Sequence, residues 1–104
     1  MKTNDEEKQL ESVEKGKINL ETAKINWQDL ERFFAAGSIV YVVPQLALID
    51  VAYALSQDDT TQFKAWMDEN LVAHVSDQQA IAWHKSEATV WSVVVKPWIL
   101  VQDT

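Results

Sequence analysis

The chain contains no cysteine. Disulfides, thiolate zinc sites and thiol catalysis are therefore excluded. It has two glycines, Gly16 and Gly37. Walker loops and dinucleotide-binding loops need clustered glycines so that the backbone can approach phosphate, and two isolated ones cannot supply this. No serine lies in a G-x-S-x-G elbow. The Asp58-Asp59 pair lacks the alternating oxygen spacing of an EF-hand loop. No apolar run approaches the roughly 18 residues that span a bilayer. The polar, mixed-charge start MKTNDEEKQLESVEK is not a signal peptide.

What is present is a chain of 104 residues, 47% hydrophobic, with a net charge of −7. One domain of this size buries roughly 65% of its unfolded surface, enough for one core. Residues 1–25 carry five Lys against six Asp/Glu, whereas residues 26–104 carry four Lys/Arg against ten Asp/Glu. An acidic folded part repels phosphate backbones, which disfavours nucleic acid as a partner. These features together lead to an expectation of a cytoplasmic protein with no membrane association and no cofactor.

Residues 1–16 hold few apolar positions and read as a flexible polar tail, with a boundary at Gly16 and a single α+β domain over 17–104. A short helix fits 17–24. Asn26 is placed to cap WQDLERFFAA, with Ile25 and Leu30 at the spacing of a hydrophobic staple, and Gly37 suits the left-handed end of that helix. SIVYVV reads as a buried strand and QLALIDVAYALS as a central helix whose only formal charge is Asp50. Asp59 with Gln62 opens a second helix, TTQFKAWMDEN, in which Phe63, Trp66 and Met67 share a face and Asn70 suits the left-handed end. LVAHV is a short strand. Ser76 with Gln79 is a further capping-box spacing, before DQQAIAWHKSE. TVWSVVVKPWILVQ reads as one long strand with a bulge at Pro97, because hairpin turns with positive φ exclude proline. The expected fold is a three-stranded sheet with about four helices, in an order similar to a winged helix with a helix inserted in its wing.

Four segments carry a family resemblance: NWQDLERFFAAG, the run through VPQLALIDVAYAL, the DD turn with KAWMDENL, and WSVVVKPWILVQ. From about Lys17 to Asp103 the chain resembles the small bacterial proteins grouped as domain of unknown function 2288. The resemblance implies Asp in many members where Val43 and Ala47 stand here, so carboxylates at those two positions are not required for whatever this member does. It implies a shared fold and no particular activity.

Few residues remain as candidates for chemistry. His74 and His84 are ten apart across a strand–helix junction, which does not make a metal clamp; they read as a strand-end and a helix-face histidine. Asp58, Asp59, Asp68 and Glu69, with Asp77, would bind a divalent ion or a basic partner if they cluster, but helix starts favour such residues for dipole reasons alone. Asp50, if desolvated, would have a raised pKa suited to acid–base work; otherwise it pairs with a base. Of the five tryptophans, Trp91 and Trp98 are the candidates for a partner surface, since they fall on a terminal strand apolar on both faces that would pair with another chain if it lay at a sheet edge.

The reading that follows is a non-catalytic protein–protein interaction or regulatory module, self-associating or with a protein partner, for which Trp91, Trp98, Asp58, Asp59, Asp68 and Glu69 are the candidate surface. Two rivals stand beside it. One is a winged-helix nucleic-acid binder, whose supposed recognition helix offers Lys64 alone against Asp59, Asp68 and Glu69. The other is a small enzyme or ligand-binding protein built on Asp50 with His74 or His84, which requires those side chains to share a cavity.

Overall fold

Alternating apolar residues furnish both faces of one sheet, and each face is covered by helices. The computed structural model describes residues 3–104, with side chains from Leu10 onward. In chain order the elements are α1 (Thr3–Glu21), β1 (Ala23–Asn26), α2 (Trp27–Ala35), β2 (Ile39–Val42), α3 (Leu48–Ser56), α4 (Thr60–Asp68), β3 (Val72–His74), α5 (Asp77–Ser86), β4 (Thr89–Val95) and β5 (Trp98–Asp103). The fold is α+β, with five strands in the order β1-β4-β5-β2-β3. β2 and β5 run parallel, and the other neighbouring pairs are antiparallel.

Period-two alternation sends successive side chains to opposite faces. On one face Val40, Val42, Val72, Val93 and Leu100 meet Ile18 of α1 and Leu48, Val51 and Ala52 of α3, with Phe63 and Trp66 of α4 packed against them. On the other face Ile39, Val90, Ile99 and Val101 meet Trp27 and Leu30 of α2 and Ala80 of α5. Trp27 is fully buried there, its ring set edge-on to Phe34 and Trp83 at 5.7 and 5.0 Å.

The helix ends follow local chemistry. Ser76 and Gln79 form the reciprocal capping box, and the Asp59 carboxylate accepts from the Gln62 N–H at 3.1 Å. Gly37 sits at φ 77° while the Gly37 and Ser38 amides donate back to Phe34 and Phe33, closing α2. Asn70 takes the left-handed conformation at φ 61°. Asn26, however, makes no side-chain capping bond. It is the last residue of β1, and the first amide of α2 donates instead to the Ala88 carbonyl at 2.9 Å.

Three sequence expectations are corrected. The sheet has five strands, not three. The stretch from Thr89 to Gln102 is not one bulged strand but a hairpin, with Val95 opposite Trp98 across the Lys96-Pro97 turn. That peptide bond is cis, and neither Lys96 nor Pro97 stands at positive φ. β1 is not among the expected elements, because AKIN alternates apolar and polar residues over only four positions and its first half reads as the end of a helix over 17–24; it forms because β4 offers it a ladder, with Ile25 opposite Val90. The wing is also absent: β3 and β4 are separated by β5 and β2.

The N-terminal segment differs as well. α1 runs unbroken through Gly16, where the sequence suggested a boundary between a tail and a short helix. Ile18 is buried, Lys15 bonds Asp50 of α3 at 3.0 Å and lies over the Tyr53 ring, and the Thr22 hydroxyl donates to the Ile18 carbonyl. Anchored at that end, the helix propagates toward the N-terminus at little nucleation cost. For Met1, Lys2 and the side chains up to Gln9 the tail expectation lies outside the described residues. No helix among the described residues is long and apolar enough to cross a membrane.

Candidate functional site

The helical cover of the α3/α4 face is incomplete, and the gap is a groove of about 430 Å³. Its floor is a row across the sheet: Val95 of β4, Trp98 of β5, Val40 of β2 and His74 of β3, with Val95 opposite Trp98 and Val40 opposite His74 in the ladders. One wall is α4, through Thr60, Phe63, Lys64 and Met67, continued by Leu55 and the Asp58-Asp59 turn. The other wall is the hairpin tip, Lys96 and Pro97. The His74 and Trp98 rings lie 6.2 Å apart at 57°, so the imidazole and the indole form a continuous aromatic patch. The lining is apolar at its centre and carries both signs of charge, with two aspartates and two lysines. Asp58 holds the α3–α4 turn at φ 55°, and the Asp59 carboxylate accepts from the Gln62 amide of α4.

The candidate residues divide between the groove and elsewhere. Trp98, Asp58, Asp59 and His74 converge on it. Asp68 and Glu69 are exposed at the C-terminal end of α4, beyond the lining. Trp91 lies on the same sheet face but packs against the α1/α3 core, with Lys24 Nζ 5.1 Å from its ring centre. Trp91 lies opposite Lys24 of β1, and β5, which carries Trp98, runs between β4 and β2; the β1 ladder ends opposite Ser92, so Val93–Val95 of β4 have a ladder to β5 but none to β1. The terminal stretch is thus a hairpin inside the strand order, with only the tip side of β4 beyond β1, and Trp98 is half-exposed because the helices stop short of it.

Asp50, His74 and His84 are not assembled. Asp50 is bound by Lys15, and its hydrogen bond, with help from the Asp50 and Glu11 charges against a desolvation that opposes them, raises the Lys15 pKa. His84 lies on α5, over the opposite sheet face, its Nδ1 3.1 Å from both carboxylate oxygens of Glu31. His74 alone faces the groove, whose lining includes neither Asp50 nor His84. Among the described residues no group of three or more His, Asp or Glu is placed to hold a metal ion.

Sequence reasoning missed Leu55, Val95 and Lys96 as groove residues, and placed Phe63 and Met67 on one helix face without assigning that face a role. Met67 is 46% exposed. The available signal was Lys96-Pro97: reading it as a reversal brings Val95 beside Trp98 and turns a strand into the lip of a cleft.

Fold and cleft together define a small α+β domain with a helix-walled surface groove, in which His74 stands apart from Asp50 and His84. The chain belongs to the family described as "Protein of unknown function (DUF2288)", which matches residues 14–103. It is similar to PA1075 from Pseudomonas aeruginosa, whose NMR solution structure superposes with a TM-score of 0.76 at 36% identity, covering 88% of this chain and 85% of that one. No curated protein matches.

Proposed function

We propose that this protein is a non-catalytic interaction module of the cytoplasm, and that its working surface is the groove between α4 and the β4–β5 hairpin tip. One observation carries this: Phe63, Met67, Val95, Pro97 and Trp98 form an apolar cleft at the surface of a sheet face whose Val42, Val72, Val93 and Leu100 lie buried in the core. Apolar surface next to charged rims is the usual composition of a protein-binding site, and tryptophan and methionine are enriched there. Its size and shape suit a few side chains of another polypeptide. Asp50 and His84, which an enzyme built on those residues would bring to His74, are held away from it, Asp50 by Lys15 and His84 against the Glu31 carboxylate.

The test compares capture from a native lysate by the wild-type chain and by Met67→Asp and Lys96→Glu, both at exposed positions. A protein retained by the wild type and lost with both variants supports the module. Equal capture by all three removes the groove from the function. Retention of nucleic acid that salt releases would favour the regulatory DNA- or RNA-binding reading instead.

A further inference from the structure

α4 is the one helix among α2 to α5 with no buried residue; only Phe63 and Trp66 are half-buried. Nine residues do not hold a helix by propensity alone. Its open face presents Lys64, Met67 and Asp68, at the spacing that puts side chains together on one side. Lys64 and Met67 line the groove, and Asp68 stands one turn beyond Lys64. Neither Lys64 nor Asp68 is in an ion pair among the described residues. The free charges therefore lie in order along the helix, base before acid, with a methionine between them.

That order decides the occupant. A surface meets itself across a two-fold axis only where it is complementary to itself. Two copies of α4 laid side by side in parallel would oppose Lys64 to Lys64 and Asp68 to Asp68. Laid antiparallel, with the axis level with Trp66 and so within a residue's rise of Met67, each Lys64 faces the other copy's Asp68. The two methionines then meet at the centre, beside the uncovered Phe63 and Trp98.

We propose that the groove is filled by a second copy of this chain, with the two α4 helices antiparallel, Met67 of each entering the other's groove, and two Lys64–Asp68 pairs closing the sides. This rests on reading the groove as a protein-binding surface and names the partner that it takes. A different protein would not need this inversion of charge along one helix.

Sedimentation equilibrium of the full chain, from micromolar to millimolar and at low and high salt, tests it. The expected result is a mass rising to that of a dimer at both salt concentrations, because salt screens the Lys64–Asp68 attraction and also the repulsion between two chains of net charge −7. Lys64→Asp and Asp68→Lys each weaken the dimer by roughly tenfold, since each disrupts two symmetry-related contacts worth several-fold apiece. The double variant Lys64→Asp/Asp68→Lys restores association to within several-fold of wild type, and Met67→Asp abolishes it. All these positions are exposed, and circular dichroism checks that each variant is folded. A chain that stays monomeric at millimolar concentration overturns the proposal, as does a dimer indifferent to the single reversals or not rescued by the double one. A monomer whose groove variants still lose a captured protein would overturn the second copy as occupant and leave the interaction module standing.

Discussion

The Tyr41 hydroxyl donates to the Asp103 carboxylate at 2.6 Å, joining β2 to the end of β5 across their parallel ladder. Burial, together with the hydrogen bond and charge of Asp103, pushes the phenol up to about 12. The folded state therefore holds this proton where the unfolded chain, with an ordinary phenol near 10, has lost it. Stability from this pair is fully present below about pH 10 and is lost as pH rises toward about 12. Denaturation at a series of alkaline pH values should show a fall across that window which Tyr41→Phe reduces. Phenolate absorbance should lose its high-pH component in Tyr41→Phe, and that component should move down in Asp103→Asn.

Gly16 and Gly37 separate cleanly. Gly16 lies inside α1, and a Cβ there meets nothing within 4 Å. Gly16→Ala should stabilise the chain by about 0.5–1 kcal/mol in urea unfolding, by the difference in helix propensity. Gly37 also has open space for a Cβ but holds φ 77°. Gly37→Ala should destabilise by about 1–2 kcal/mol, because an L-residue resists the left-handed region. Equal effects at the two sites would contradict the helical course of residues 3–21.

What the sequence disclosed was local. The Ser76–Gln79 box, the Asp59 cap and the left-handed Asn70 each depend on residues within four positions of one another, so side-chain chemistry alone identifies them. The β1–β4 ladder, the parallel β2–β5 pair and the separation of β3 from β4 depend on pairings across the whole chain, for which AKIN or TVWSVVV holds no local mark. The groove falls in the second group. Trp98 and Asp58 were visible as unusual residues, but Val95, Phe63 and His74 become its neighbours only through the hairpin and the sheet order.

Capping gives a paired prediction. At Ser76 the hydroxyl accepts from the Gln79 amide at 3.1 Å while the Gln79 carbonyl receives the Ser76 amide at 3.0 Å. Ser76→Ala should cost about 1 kcal/mol. Asn26 is equally suited by type but makes no such bond. Asn26→Ala should stay within about 0.5 kcal/mol, as surface changes away from specific contacts do. Denaturant midpoints of the two variants, measured together, decide the matter.

Gln102 fastens the turn that leads into α3. Its side-chain amide donates to the carbonyls of Val43 and Leu46 at 2.8 and 2.6 Å, reaching across from β5 to residues 59 and 56 positions away. The turn itself, around Pro44 and Gln45, has no other side chain bonding those two carbonyls among the described residues. Gln102→Leu keeps the apolar stem but takes the side-chain donor from the Leu46 carbonyl and leaves the Val43 carbonyl with the Leu46 amide alone, and should cost about 1–3 kcal/mol in chemical denaturation. Gln102→Glu keeps size and reach while placing a carboxylate against two carbonyl oxygens. It should be the more damaging change at neutral pH, and its stability relative to Gln102→Leu should improve as the solution is acidified and the carboxyl gains a proton to donate. A Glu variant as stable as wild type at neutral pH would mean that the amide does not hold this turn.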